Sequence, residues 1–279
     1  MQKKEVPKFC IRVTKPQAYA IIIKRSDFMQ IVLLTALGVG GATAIGALLG
    51  LLIKNPSHKV SDAILSFAAG IMLCAATVGL IIPSLNFGGK TAIVFTVLGM
   101  LIGAFFLNFI DKAVPHLHAL GGLDQEKHPE SKARNKVLLF VIAIAIHNFP
   151  EGIAAGVSFG TDNITHALTV AGGIALQNIP EGMVIIAPML ATGMSKKRTI
   201  VIALITGLVE VVGTFFGYFA VSISTAILPF ALSFAGGTML YVISDEMIPE
   251  THSHGNERLA TYSLIIGYAI MLALDFFLG

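Results

Sequence analysis

Val137-Leu-Leu-Phe-Val-Ile-Ala-Ile-Ala-Ile-His-Asn-Phe-Pro-Glu-Gly-Ile-Ala-Ala-Gly-Val-Ser-Phe159 is an apolar run broken at its centre by His147, Asn148, Pro150 and Glu151. A helix over 137–159, rising about 1.5 Å per residue, is long enough to cross a hydrocarbon core of roughly 30 Å. The polar residues then fall where they are most costly. Insertion scales assign about +2.5 to +3.5 kcal/mol to an acid at the centre of a spanning helix. The centre of the run also recurs: Ile144-Ala-Ile-His-Asn-Phe-Pro-Glu-Gly152 is echoed by Ile174-Ala-Leu-Gln-Asn-Ile-Pro-Glu-Gly182. Paired interruptions of this kind, in corresponding apolar segments, point to a transporter's midplane site.

Outward from these two copies, apolar length and flanking polar residues place eight spans near 31–53, 60–83, 91–110, 137–159, 165–190, 199–221, 224–248 and 260–278. The expected fold is an all-α integral membrane protein with eight helices in a 3+5 arrangement. A basic tail over 1–30 precedes a single transport domain over 31–279, and a long loop at about 111–136 separates the two sets of spans. Only 13% of the 279 residues are charged, against roughly 25% in an average soluble domain. The net charge of +3 comes from Lys and Arg lying between the apolar runs, which gives no support to nucleic-acid binding. The lipid bilayer is the expected surrounding. Cys10 and Cys74 belong to no CxxC or metal-ligand spacing, so neither a disulfide nor a zinc finger is expected, and Cys74 reads as packing. The pairs Gly46/Gly50, Gly99/Gly103 and Gly213/Gly217 carry the small-xxx-small spacing that lets helices approach closely in lipid.

Loop charge orients the chain. Loops 1–2, 3–4, 5–6 and 7–8 together hold eleven Lys and Arg, and the intervening loops hold one. By the positive-inside rule the former are cytoplasmic and both termini lie outside. The basic tail, with Lys3, Lys4, Lys8, Arg12, Lys15, Lys24 and Arg25, runs against this vote.

Pro150 and Pro180 lack an N–H and obstruct the bond to the carbonyl four residues back, so kinks and free carbonyls are expected at Ile146 and Leu176. His147 and Glu151 stand at i and i+4, as do Gln177 and Glu181. Asn148/Glu151 and Asn178/Glu181 stand at i and i+3, so each set shares one helix face. Glu210 adds a third acid inside the sixth span. With no Lys or Arg in the spans as drawn, a bound cation or a proton must neutralise these carboxylates. Imidazole nitrogen, carboxylate oxygen and the thioether of Met72 form a donor mixture suited to zinc and its first-row neighbours. The same ligands would serve a channel-like divalent cation pore. An intramembrane metallohydrolase would instead present His-Glu-x-x-His, and here Asn148 and Glu151 occupy the positions of its Glu and second His.

The hexads His147-Asn148-Phe149-Pro150-Glu151-Gly152 and Gln177-Asn178-Ile179-Pro180-Glu181-Gly182 resemble the fourth- and fifth-helix signatures of the ZIP family of zinc and iron transporters. Gln177, where many members have His, is similar to the GufA-type branch. The resemblance implies that helices 4 and 5 form two adjacent metal positions: one from Met72, His147, Glu151, Gln177 and Glu181, the other sharing both glutamates and adding Asn148, Asn178 and Glu210. Asn178 replaces an acid found in some relatives. The resemblance further implies import of Zn2+, or of Cd2+, Fe2+, Mn2+ or Co2+, into the cytosol as cargo rather than cofactor. The setting would be a prokaryotic cytoplasmic membrane, and a homodimer is compatible with it. Glu246 and Glu250 extend the ligand-bearing face toward the cytoplasm, where His116, His118, His128, His252 and His254 are candidate exit ligands. Asp275 is a candidate for the outer mouth.

Overall fold

The computed structural model describes residues 25–53, 56–87, 89–113, 146–161, 163–191 and 193–279. Among them every regular element is helical. The helices are α1 (Arg25–Leu52), α2 (His58–Cys74, continued through a π-helical stretch, Ala75–Ile81, to Ile82–Ser84), α3 (Ala92–Ala113), α4 (146–158) and α5 (Ile164–Val184). They are followed by α6 (Lys196–Ile223), α7 (Leu228–Val242, continued through the π-helical Ile243–Met247 to Ile248–Thr251) and α8 (Glu257–Leu278). Six segments are long and apolar enough to cross a membrane: Asp27–Leu52, His58–Ser84, Gly89–Ile110, Lys196–Ile223, Thr225–Thr251 and Glu257–Leu278. The burial pattern is that of a protein dissolved in lipid. Phe105, Phe109 and Phe276 are 71%, 73% and 82% exposed, while Glu151, Gln177 and Glu210 are 1%, 0% and 0% exposed.

Two boundaries depart from the sequence expectation. Helix α1 begins at Arg25, inside the segment assigned to the basic tail, because the six residues from Arg25 to Gln30 continue the helix without a breaker. The expected single span over 165–190 ends as α5 at Val184, and a separate helix, Ile186–Ala191, follows Ile185. Residues 137–145 of the fourth expected span lie outside the described residues, as do Cys10 and the loop histidines His116, His118 and His128. Pro150 and Pro180 sit inside helices that continue beyond them.

Both π-helical stretches have one local cause in common. Each ends one residue before an Ile-Pro step, Ile82-Pro83 in α2 and Ile248-Pro249 in α7. A proline ring crowds the carbonyl four residues back and offers it no N–H, and a widened turn accommodates that crowding without ending the helix.

Helix α1 packs along α5 and α6, α3 along α7, and α2 along α8, with α2 also meeting α5 and α7. Helix α4 joins the first set through glycine: a Cβ at Gly152 or Gly156 would strike the carbonyls of Glu210 or Thr214 in α6, and Gly213 and Gly217 of α6 meet the carbonyls of Phe149 and Ile153. The described helices thus form two groups, α1/α4/α5/α6 and α2/α3/α7/α8. All three glycine pairs picked out by spacing lie at such crossings, Gly46/Gly50 against α5 and Gly99/Gly103 against α7. Gly46→Ala should lower stability by about 1–3 kcal/mol, since its Cβ would meet the backbone of Ile179, within the second hexad. Gly41→Ala has open space around it and should leave the thermal midpoint in detergent unchanged. Equal melting of the two variants would contradict this packing.

Candidate metal centre

The first group of helices converges on Glu210 of α6, which is fully buried. Its Oε1 accepts from Thr43 Oγ1 of α1 at 2.7 Å and from Asn148 Nδ2 of α4, and its Oε2 accepts from Asn178 Nδ2 of α5 at 2.6 Å. Asn178 Nδ2 also reaches the Val39 carbonyl at 3.2 Å, and Asn178 Oδ1 accepts from Gln177 Nε2 at 2.7 Å. All three hydrogen bonds to Glu210 are donated by the partner, and an acceptor-only carboxylate satisfies them together.

This network fixes the amides and leaves their other ends free. Asn148 Oδ1, Gln177 Oε1 and Glu151 Oε2 are buried oxygens with no hydrogen-bond partner among the described residues. Unpaired polar atoms this deep are costly and call for an explanation. All three are neutral or anionic oxygen donors, and all three belong to the duplicated hexads. Glu151 lies within electrostatic reach of Glu181, and Glu210 within reach of both. Residues 137–195 contain no Lys or Arg, so no basic side chain of that segment offsets the cluster.

Exposure is concentrated on one side. His147, one turn N-terminal to Glu151, contacts Glu246 of α7 through Nε2 at 2.8 Å; their side chains are 15% and 26% exposed. Glu181 is half-buried and interacts electrostatically with both. Among the described residues no three His, Cys, Asp or Glu side chains already stand as a ligand cage. The reason is visible in the contacts, since Glu210 is held by three donors and His147 by Glu246.

The remaining candidates are placed as follows. Met72 is buried in the core of α2, in the same apolar cluster as Ile153 and Ile174 of the hexad-bearing helices. Asp275 sits in the last turns of α8 with its Oδ1 buried and unpartnered. Glu250 is exposed. His252 and His254 are engaged locally: His252 bonds through Nδ1 to the Ile248 carbonyl at 2.9 Å and through Nε2 to Thr261 at 3.1 Å. His254 Nδ1 meets buried Asp62 of α2 at 2.9 Å, and Asn256 reaches the same carboxylate at 3.0 Å. Sequence reasoning missed Thr43, a small hydroxyl residue in an apolar helix with nothing in its spacing to mark it.

Comparison with known proteins follows the same lines. The ZIP Zinc transporter family profile matches residues 115–275, more than half of the chain. The chain belongs to the ZIP family. It is 43% identical over 253 residues to Zinc transporter GufA of Myxococcus xanthus, covering 88% of this chain and 98% of that protein. It is 38% identical over 250 residues to Zinc transporter ZIPB of Bordetella bronchiseptica, covering 85% and 78%. To Zinc transporter ZIP11 of Homo sapiens it is 30% identical over 323 residues, covering 86% and 94%. The GufA-type character read from Gln177 agrees with these relatives, and as a ZIP protein the chain is a transporter, not an enzyme.

Proposed function

We propose that this ZIP protein carries zinc, or a divalent first-row neighbour, into the cytosol through an intramembrane site between α4 and α5. The observation that carries the reading is the set of three buried, unpartnered oxygens, Asn148 Oδ1, Glu151 Oε2 and Gln177 Oε1, beside a cluster of carboxylates. A divalent cation supplies what each of these groups lacks: the oxygens gain a ligand bond and the carboxylates a counter-charge. The unpaired Glu151 oxygen and the half-buried Glu181 support a binuclear arrangement in which both carboxylates are shared, and this is part of the proposal. The first position would take His147, Gln177 and Met72, and the second the free Asn148 oxygen with Asn178 and Glu210.

In this reading α4 and α5 complete eight spans in the 3+5 order, and their prolines bend them at the site. Transport is by alternating access, which exposes the site first outside and then to the cytosol; the loop charges put the His147–Glu246 opening on the cytosolic side. Reconstitution into proteoliposomes with an entrapped zinc dye tests it. Saturable, protein-dependent zinc entry is expected, and vesicles that admit no more zinc than protein-free controls would overturn it.

Metal affinity should be pH-dependent, because the ligands must be deprotonated. Protons compete with the cation for imidazole and carboxylate ligands, so zinc affinity at equilibrium should fall by at least about tenfold as the pH is lowered from 8 to 5. A site held by neutral amides alone would show no such fall, since amides do not titrate in this range. An affinity constant across that range would remove His147 and the glutamates from the ligand set.

A further inference from the structure

Pro83 leaves a vacancy in α2. It has no N–H, so the carbonyl of Gly79, four residues earlier, has no α-helical donor, and the π-helical stretch Ala75–Ile81 lies at this point. A carbonyl without a donor inside a membrane must find one elsewhere. It finds His166 of α5, whose Nε2 lies 3.0 Å from the Gly79 oxygen. A carbonyl only accepts, so Nε2 carries the proton.

Local structure holds this imidazole in place. His166 is in the first turn of α5, and its own backbone N–H donates to the Asn163 cap at 3.1 Å. One turn on, the fully buried Val170 packs on Gly79: a Cβ there would stand 2.9 Å from Val170 Cγ2, so the absent side chain is what lets α5 come this close.

The bond joins the two helix groups. Helix α5 belongs with the helices bearing Asn148, Glu151, Gln177, Asn178, Glu181 and Glu210, and α2 belongs with α3, α7 and α8. A second polar tie between the groups, His147 to Glu246, lies on the opposite side of the site. Gln177 stands eleven residues beyond His166, about 17 Å along α5. His147, by contrast, is one turn before Glu151 on the N-terminal side of the site in α4, whose C-terminal end connects to α5 through residues 159–163. Each end of the site is therefore bridged by one histidine.

We infer that His166 is a positioning residue for transport: by donating to the Gly79 carbonyl that Pro83 leaves without a donor, it holds the outer ends of α2 and α5 together and stabilises the conformer closed to the outside. This rests on the alternating-access reading, in which contacts at the two ends must form and break in turn. Loss of the donor leaves the carbonyl unpaired in the closed conformer and shifts the population toward the outward-open one, so less protein stands ready to release metal inward.

The test uses the full chain in proteoliposomes, with zinc binding measured separately in detergent at equilibrium. His166→Leu should lower maximal zinc uptake roughly tenfold, the population shift expected from one net hydrogen bond, while zinc affinity changes less than about twofold. His166→Gln places an amide N–H near the Nε2 position and should restore uptake. Pro83→Ala supplies the missing helical N–H to Gly79, so adding His166→Leu in that background should cost little further. Parental uptake by His166→Leu, or an undiminished loss in the Pro83→Ala background, overturns the inference. So does joint loss of binding and uptake that His166→Gln fails to repair, which would mark His166 as merely structural. Absence of uptake by the parent chain would instead count against the transport reading itself.

Discussion

Replacing Glu181 with alanine should abolish zinc uptake, an expected fall of at least about 100-fold, while the protein still inserts and melts as a folded unit. The magnitude follows from position. Partners that only orient a metal ligand are worth about 10–100-fold in affinity or activity, and Glu181 is placed to be a ligand itself. It is half-buried between the closed oxygens of Glu151 and Gln177 and the opening formed by His147 and Glu246, with electrostatic contact to both members of that pair. On the proposed path, a cation moving from the buried oxygens toward His147 and Glu246 would meet it on the way. Folding should survive, because the side chain takes part in none of the hydrogen bonds that assemble Glu210, Asn148 and Asn178. Glu181→Gln keeps the oxygen, loses the charge and should fall in between. Uptake by Glu181→Ala at more than a tenth of the parental rate would remove this residue from the path.

The contrast between Glu181 and its surroundings also shows which parts of this protein were legible in its sequence. The duplicated Asn-x-Pro-Glu-Gly core was readable because acids and amides in an apolar helix cost free energy wherever they point, so their presence alone signals a site. Glycine pairs were readable because close helix packing in lipid has few other solutions. Thr43 was not readable: its hydroxyl meets Glu210 across 167 residues of sequence, and a threonine in an apolar helix usually satisfies itself on its own backbone. The role of Pro83 was equally hidden. A proline at a span's end reads as a terminator, and only the approach of α5 turns the carbonyl it frees into a partner for His166. The break at Ile185 fell inside an unbroken apolar run, where hydropathy cannot distinguish a continuous helix from two consecutive ones.

Glu210→Gln should reduce zinc affinity by about 10–100-fold even if Glu210 never touches the metal in this conformer. The carboxylate holds three donors at once: Thr43 and Asn148 on Oε1, Asn178 on Oε2. A glutamine must put an NH2 group in one of those places, so a donor then faces a donor whichever way the amide turns. If the NH2 faces Asn148, relief comes from flipping the Asn148 amide, and this turns its now free Oδ1 away from the metal positions. If it faces Asn178, flipping that amide breaks the link from Gln177 Nε2 and loosens the Gln177 oxygen instead. Either way one of the oxygens the network presents is lost, and stability should fall by about 1–3 kcal/mol for the unsatisfied group. Thr43→Val removes one donor without introducing a conflict, so its loss of affinity should stay below about tenfold. Zinc binding at equilibrium, with the metal-free melting point measured on the same samples, separates these cases. Parental affinity in Glu210→Gln, or a larger loss in Thr43→Val, would mean that Glu210 does not set the orientation of the site's amides.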